Sequence, residues 1–413
     1  EPFDAAVGKL VADLGGSVEV LGFGEPMHGG EDVLVLRNRL FQRLVAGHGY
    51  TAIAVESSFP RGRAVDEYVA GRGPTAYDAV AEAGFSHGFG RLAANRELVE
   101  WMRAYNADLS HPIPLRFYGF DSPTEMTGTD GPRQLLQFAL DYLAAIDPEA
   151  GRARRERVEP LLGDDAAWEN PAAMMDPAKS VGLSPAAAAL RVETEDLVTE
   201  LRVRRPELVA QSDVGRYLEV ARHASAARQL LSYHAGLARA SENRIADLLG
   251  LRDLMMADNL AYAAARERGR GGKVLTFAHN SHLKYGKAAW KLGPHALAWW
   301  PAGTHLRERL GPRYAAIGAA VGTSEANGIG PPEAGTLEAR LTAAPGPARF
   351  IPTRRGGAVL PAGLADVPVR SGSTLNSTYF PLTVESLTDF DALVALDFTA
   401  YSRGGPPLQP RAR

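Results

Sequence analysis

The sequence predicts an α/β protein: a largely parallel central sheet flanked by helices, with a large helical insertion forming a lobe over an active-site cleft. Three observations carry this expectation. Short β-branched apolar runs lie towards both ends of the chain, helical periodicity separates the first of them, and strand signals vanish across the middle. The order strand, helix, strand, helix favours parallel pairing, because parallel neighbours need a crossover between them.

Taken in order, "SVEVLGF" (17–23), "YTAIAVESS" (50–58), "LRFYGFD" (115–121), "GKVLTFAHN" (272–280) and "ALVALDFT" (392–399) read as buried strands. Amphipathic helices over 31–47 and 95–107 separate the first three. From about Gly131 to Asn259, segments such as "RQLLQFALDYLAAI" and "YLEVARHASAARQLLSYHAGLARA" are helical in composition and period, with "DPAKSVGLSPAAAA" as a helix-to-helix loop. The expected organisation is therefore a core domain from residues 1–130 and 260–413, with residues 131–259 as the helical lobe. A Gly/Pro-rich patch, "GIGPPEAG", and a polar tail, "SRGGPPLQPRAR", fall outside these elements, and the tail is expected to fray.

Composition narrows the function. The 413 residues are 45% hydrophobic, enough for a full core. The 45 basic residues are scattered among 48 acidic ones, so no basic surface calls for nucleic acid. There is no cysteine, which excludes thiolate nucleophiles, zinc fingers and iron–sulfur ligation. No apolar run approaches the roughly 20 residues of a membrane span, and the start at Glu1 shows no secretory pattern. A cytoplasmic protein with no cofactor is expected, and any metal would need His and carboxylate ligands.

In an open parallel sheet, functional groups collect at the carboxyl ends of the strands. The first strand delivers Glu25 and His28 just past its end, the second Glu56, the third Asp121, and the late strand His279 and His282. Carboxylates at the ends of apolar strands must be solvated, paired or used, since burying one alone costs several kcal/mol. Arg37 lies in the helix after His28, and its bland reading is a solvated helical face. His87 in "FSHGFGR" and Asn280 in "AHNSH" are further candidates, placed with Asp121 as substrate-binding groups. His48, His111, His223, His234, His295 and His305 form no constellation and read as surface or packing residues. Trp290, Trp299 and Trp300 read as packing.

Competing motifs fail on inspection. "GFGEPM" begins like a dinucleotide fingerprint, but Met27 stands where the third glycine belongs. Neither G-x-S-x-G, nor H-E-x-x-H, nor a phosphate-binding loop occurs. With no cysteine and no elbow serine, the simplest hydrolytic route is water activated by a base, and histidine has the ordinary pKa that suits this.

The stretch "GEPMHGGEDVLVLRNRLFQRLVAGHGYTAIAVESSF", taken with "FYGFD", "RDLMMADNL", "FAHNSHLKYG" and "FDALVALDFT", resembles the erythromycin esterase family over nearly the whole chain. That resemblance implies hydrolytic opening of the lactone ring of fourteen-membered macrolides, by an essential histidine beside glutamates and without a metal. Carried over by position, the base histidine is His28, the two glutamates are Glu25 and Glu56, the arginine is Arg37, and the late histidines are His279 and His282. The chain departs from the family pattern at Pro26, Met27, Gly30 and Phe277, none of which removes a catalytic group.

The expected chemistry is general acid–base catalysis in a cleft between the sheet edge and the lobe. His28 takes a proton from water while Glu25 or Glu56 holds its ring, and Arg37, His279 and His282 gather where negative charge develops. The substrate expected is a lactone or ester of a macrolide or polyketide type. Three alternatives use the same residues. The first is a tailoring cyclase or lyase. The second is a metallohydrolase with Glu25, His28, Glu56, His279 and His282 as ligands. The third is a binding protein that sequesters its ligand.

Overall fold

A computed structural model describes residues 2–125, 128–344, 346–353 and 367–408. Its centre is a seven-stranded sheet. We label the sheet and hairpin strands β1 (Val20–Glu25), β2 (Tyr50–Ser58), β3 (Arg116–Asp121), β4 (Lys273–His279), β5 (Ala288–Leu292), β6 (His295–Trp299), β7 (Tyr314–Thr323), β8 (Ala348–Pro352) and β9 (Ala392–Phe398). The sheet order is β8-β9-β7-β1-β4-β2-β3, parallel throughout except for the antiparallel edge pair β8 and β9. β5 and β6 form a separate antiparallel hairpin. The five expected strands are present. β7 and β8 are additional to them.

The central strands are buried along their length, and alternate residues face opposite layers. Leu21, Phe23, Ile53 and Val55 pack with Leu40, Phe41 and Leu98 of the helices Glu31–His48 and Ala93–Ala107. Val20, Ala52 and Ala54 pack on the other face with Met256, Leu260 and Leu306 of the helices Arg244–Arg268 and Ala302–Leu310. This alternation decides where the strand ends point. Glu25 continues the row of Leu21 and Phe23, whereas Glu56 continues the row of Ala52 and Ala54.

The middle of the chain is helical, with its own core built around Leu136, Leu140, Leu197 and Leu230. Its helices run from Arg133–Ile146 to Val214–Leu237, and Arg244–Arg268 leads back onto the sheet against β3 and β4. Within the expected loop at 176–189, a helix already begins at Pro185. Ser184 caps it by accepting from the Ala187 N–H, and proline suits the first helical position. Among the described residues no helix is long and apolar enough to cross a membrane. Of the tail, residues 409–413 lie outside the described residues. Its start is not frayed: Ser402 is buried and its N–H donates to Gly29 O at 3.0 Å, and the Arg403 N–H donates to Glu31 Oε2 at 2.9 Å.

One glycine shows how tightly the layers meet. A Cβ on Gly62, in the helix Phe59–Val69, would lie 2.4 Å from the Gly119 nitrogen of β3, a backbone atom that cannot step aside. Gly62→Ala is expected to lower stability by about 1–3 kcal/mol. Gly47→Ala, in a helix with nothing within 4 Å, should be neutral or stabilising by up to about 1 kcal/mol. Urea denaturation of both variants checks the contrast.

Candidate active site

The sheet order brings three strand ends together, because β4 runs between β1 and β2. Glu25 pairs in register with His279, and Glu56 follows Val55, whose β4 partner is Phe277. A register shift between Val55 and Ser58 in the pairing of β2 with β3 marks a local irregularity at Glu56 and Ser57, after which Ser58 pairs with Asp121. Past β1 the chain turns through Gly29, whose φ of +92° suits glycine and where a Cβ would meet the Tyr401 ring at 2.7 Å. His28 is fixed in this turn by its backbone. Its N–H donates to Thr378 Oγ1 at 2.9 Å, and its carbonyl accepts from Asn376 Nδ2 at 2.7 Å.

The His28 ring lies between two carboxylates. Its Nδ1 is 2.7 Å from Glu25 Oε1 and its Nε2 is 3.7 Å from Glu56 Oε1. The ring is 25% exposed, against 4% for Glu25 and 3% for Glu56, so it is the member of the trio that solvent reaches. An ionised carboxylate only accepts, so Nδ1 carries a proton and Nε2 is the nitrogen able to gain or lose one. Burial works against a charge on His28, but Glu56 and Glu25 outweigh it and raise its pKa above the ordinary 6.5. Burial also raises Glu25 despite the hydrogen bond from His28.

Glu56 is the most heavily engaged acid. Its Oε1 faces Arg252 Nη2 at 3.2 Å and His282 Nε2 at 3.4 Å besides His28, and its Oε2 accepts from the His279 N–H at 2.8 Å. Burial alone would raise this carboxyl, but His282, His28 and Arg252 together hold it well below the usual range. Asp121, fully buried, takes a two-pronged contact from Arg252 at 2.9 and 2.6 Å and lies 2.8 Å from His87 Nε2. His87 has a left-handed backbone, φ 57°, uncommon for a residue with a side chain, and its ring lies 6.4 Å from that of His28.

Four expectations change in detail. Arg37 does not lie on a solvated face. It is buried, with Nε and Nη2 donating to Asn38 Oδ1, its guanidinium 4.7 Å from the centre of the Phe277 ring, and it lines a void of about 10 Å³ with Glu25. Burial lowers its pKa to about 10, which leaves it cationic beneath Glu25. His279 has both ring nitrogens committed: Nδ1 accepts from the Ser281 N–H at 3.1 Å, and Nε2 donates towards Thr378 O at 2.9 Å and Pro26 O at 3.1 Å. Burial then pushes its pKa down to about 3, leaving a neutral ring that orders the turn. Asn280, expected to meet substrate, instead clamps β7, accepting from the Ala319 N–H and donating to Ala319 O. Asp121 likewise holds Arg252 and His87 rather than an open surface.

Sequence patterns did not single out Arg252, Asp253, Thr378 or Asn376. The first two lie inside the quoted "RDLMMADNL", where their charges on a helix gave the only signal. The histidines set aside as surface or packing groups stand apart from the site. His223 stacks on Phe138, with ring centres 4.0 Å apart, and His234 lies 2.9 Å from Asp130 O. Trp299 packs, but its Nε1–H also donates to Asp253 Oδ2 at 2.7 Å, whereas Trp300 is half exposed.

Among the described residues, the group that could hold a metal differs from the five ligands of the metallohydrolase alternative. Glu56, His87 and Asp121 bring ligand atoms within 4.8 Å of one another. Arg252 already touches both of those acids and supplies the balancing charge, so a cation there would have to displace a guanidinium. The donor set therefore fits an arginine better than a metal ion. A groove of about 1030 Å³ lies elsewhere, between the helix Pro2–Leu14 and the β8 edge, and includes Phe3, Leu36 and Phe350.

Comparison with known proteins bears on the family and the fold. A family model described as erythromycin esterase matches residues 45–399, a span that begins after Glu25, His28 and Arg37. Three solved structures share the fold. A protein from Bacillus cereus superposes with a TM-score of 0.72 at 19% identity, covering 97% of this chain and 93% of that one. A succinoglycan biosynthesis protein gives 0.69 at 19%, covering 97% and 92%. A histidine-to-asparagine variant of the erythromycin esterase EreC, in its open conformation, gives 0.65 at 18%, covering 96% and 94%.

The His28 geometry yields a titration with a definite sign. A raised folded-state pKa means that the stability contributed by protonated His28 is fully present below its unfolded value and is lost as pH rises through the folded value. NMR titration of the His28 ring should give a midpoint above 6.5. Glu25→Gln, which removes a charge that raises it, should move that midpoint down.

Proposed function

The chain belongs to the erythromycin esterase family, and from that footing we propose that it hydrolyses a lactone or ester in a macrolide or polyketide-type small molecule. An esterase-like enzyme acting on a small molecule follows from the family. The chemistry assigned to individual residues is our reading, and the observation that carries it is the half-open His28 ring held between Glu25 and Glu56.

In this reading neutral His28, with its Nδ1 proton held by Glu25, accepts a proton from water at Nε2. The hydroxide equivalent adds to the ester carbonyl carbon, and the carbonyl π electrons move onto oxygen. Arg252, 3.2 Å from the same Glu56 oxygen that faces His28 Nε2, stabilises that oxyanion. Collapse of the tetrahedral intermediate breaks the acyl C–O bond, and the alkoxide takes the Nε2 proton from His28. The water's other hydrogen leaves with the acid, and His28 returns to its neutral form. Arg37 acts from below by balancing the charge on Glu25. His279 fixes the turn, and no proton passes through it.

Incubation of the protein with erythromycin and a panel of macrolactones in ¹⁸O-labelled water tests the reading by mass spectrometry. The expected product is the ring-opened acid carrying one solvent oxygen. A product of unchanged mass, or one lighter by a molecule of water, would instead mean cyclisation or dehydration. His28→Asn should lower kcat by about 10²–10⁴-fold while leaving the fold intact. Because the base must be neutral and its pKa is raised, activity should fall with acid through a midpoint above 6.5. Wild-type turnover in His28→Asn would overturn the assignment.

A further inference from the structure

The helix Arg244–Arg268 reaches the site with two consecutive charged residues that divide the work between them. Arg252 grips Asp121 and Glu56, whereas Asp253 points to His282. Asp253 is fully buried and its two oxygens accept three hydrogen bonds. Oδ1 takes His282 Nδ1 at 2.9 Å and the Ala302 N–H at 2.8 Å, and Oδ2 takes Trp299 Nε1 at 2.7 Å. The His282 ring thus has an acid on each side, with Glu56 Oε1 3.4 Å from Nε2. Two acceptors facing one ring require two protons on it.

We infer that Asp253 is a positioning residue: it holds His282 as a doubly donating imidazolium, which in turn fixes Glu56 as an anion aimed at His28 Nε2. The inference rests on the reading of His28 as the base. Asp253, His282, Glu56, His28 and Glu25 alternate acid and imidazole, with successive separations of 2.9, 3.4, 3.7 and 2.7 Å. Burial opposes the charge on His282, but Asp253 and Glu56 push its pKa up to about 10. Take away the Asp253 charge, and a neutral ring keeping its Nδ1 proton would turn a lone pair towards Glu56 Oε1. Glu56 would then gain a proton or swing aside, and His28 would lose one of the two acids that raise it.

The charges facing this chain come from every neighbouring element. Glu25 and Arg37 stand on the β1 side and His87 and Asp121 on the β3 side, Arg252 and Asp253 come from the helix, and His279 and His282 from the end of β4. None of them besides Asp253 contacts His282 Nδ1 among the described residues.

Ring titration by ¹⁵N NMR tests the inference on the full chain without any substrate. In the wild type His282 should stay doubly protonated through the neutral range. In Asp253→Asn it should become neutral there, and the His28 midpoint should move down. With a macrolactone that the wild type turns over, Asp253→Asn should lower kcat at least about tenfold with little change in KM, as for loss of a carboxylate that orients a histidine. Trp299→Phe removes one packing hydrogen bond to Asp253 but keeps its charge, and it should leave the His282 titration unchanged. A neutral His282 in the wild type at neutral pH would overturn the inference. So would a folded Asp253→Asn with both titrations unmoved. If no ester is hydrolysed, the esterase reading fails while the titrations still decide this one.

Discussion

An ionised carboxylate in a dry interior must be surrounded by donors, and the Glu56 carboxylate imposes that demand on the architecture around it. Moving such a group from water costs several kcal/mol unless good hydrogen bonds and opposite charges replace the solvent. Glu56 meets Arg252 and His282 on one oxygen, where His28 also turns, and the His279 N–H on the other. These partners come from a helix that descends from the helical region, from the end of β4 and from the turn after β1. β4 must therefore lie beside β2, and the helix must cross the sheet on the face towards which Ala52 and Ala54 point. Removing a partner would leave an uncompensated charge, the costly direction for such networks.

The same alternation along the strands separates two arginines that a sequence presents as equivalent charges. Arg37 is on the Leu21 and Phe23 side and so lies under Glu25, while Arg252 is on the opposite side and reaches Glu56. Each acid beside His28 thus has a cation behind it, in a separate layer. The His28 backbone is tied at both its N–H and its carbonyl by residues 376–378, so the ring is held from the far end of the chain as well as from β1. That tethering keeps the exposed ring in register with buried acids. A general base gains from such order because its orientation is set before substrate arrives.

Much of this was legible in the sequence, and the failures have physical causes. Five strands could be read because each combines β-branched or aromatic residues with a run long enough to cross a sheet, and their ends named the acids and imidazoles that meet. β7 was missed because "YAAIGAAVGT" is mostly alanine and glycine. Its neighbours demand this: a Cβ on Gly318 would meet the Phe390 ring at 2.7 Å, and one on Gly322 would meet Asp397 O at 2.4 Å. Strand propensity gives no signal where close packing has removed the side chains that carry it. Arg252 and Asp253 were missed because a charged pair on a helix reads as solvated, and only the tertiary fold brings it against β2 and the turn after β4. Asn280 was misjudged for the complementary reason. A polar residue beside catalytic candidates looks like a ligand contact until its amide is found on the backbone of β7.

The charge count of the cluster connects the fold to the proposed reaction. Glu25, Glu56, Asp121 and Asp253 carry four negative charges when ionised, and Arg37, Arg252 and His282 carry three positive ones, so a neutral His28 leaves one negative charge without a partner. One proton on His28 closes the balance, which is the physical sense of its raised pKa. A base in that setting is stronger than a free imidazole, yet more of it is protonated at neutral pH, so strength is gained at the expense of the fraction ready to react. When the base draws a proton from water, the cluster moves towards neutrality. The charge that develops on substrate then faces Arg252, a cation whose counter-charges Asp121 and Glu56 are already fixed in place. Little needs to reorganise at that moment, and this is the form of electrostatic assistance that a pre-arranged, water-poor site supplies best.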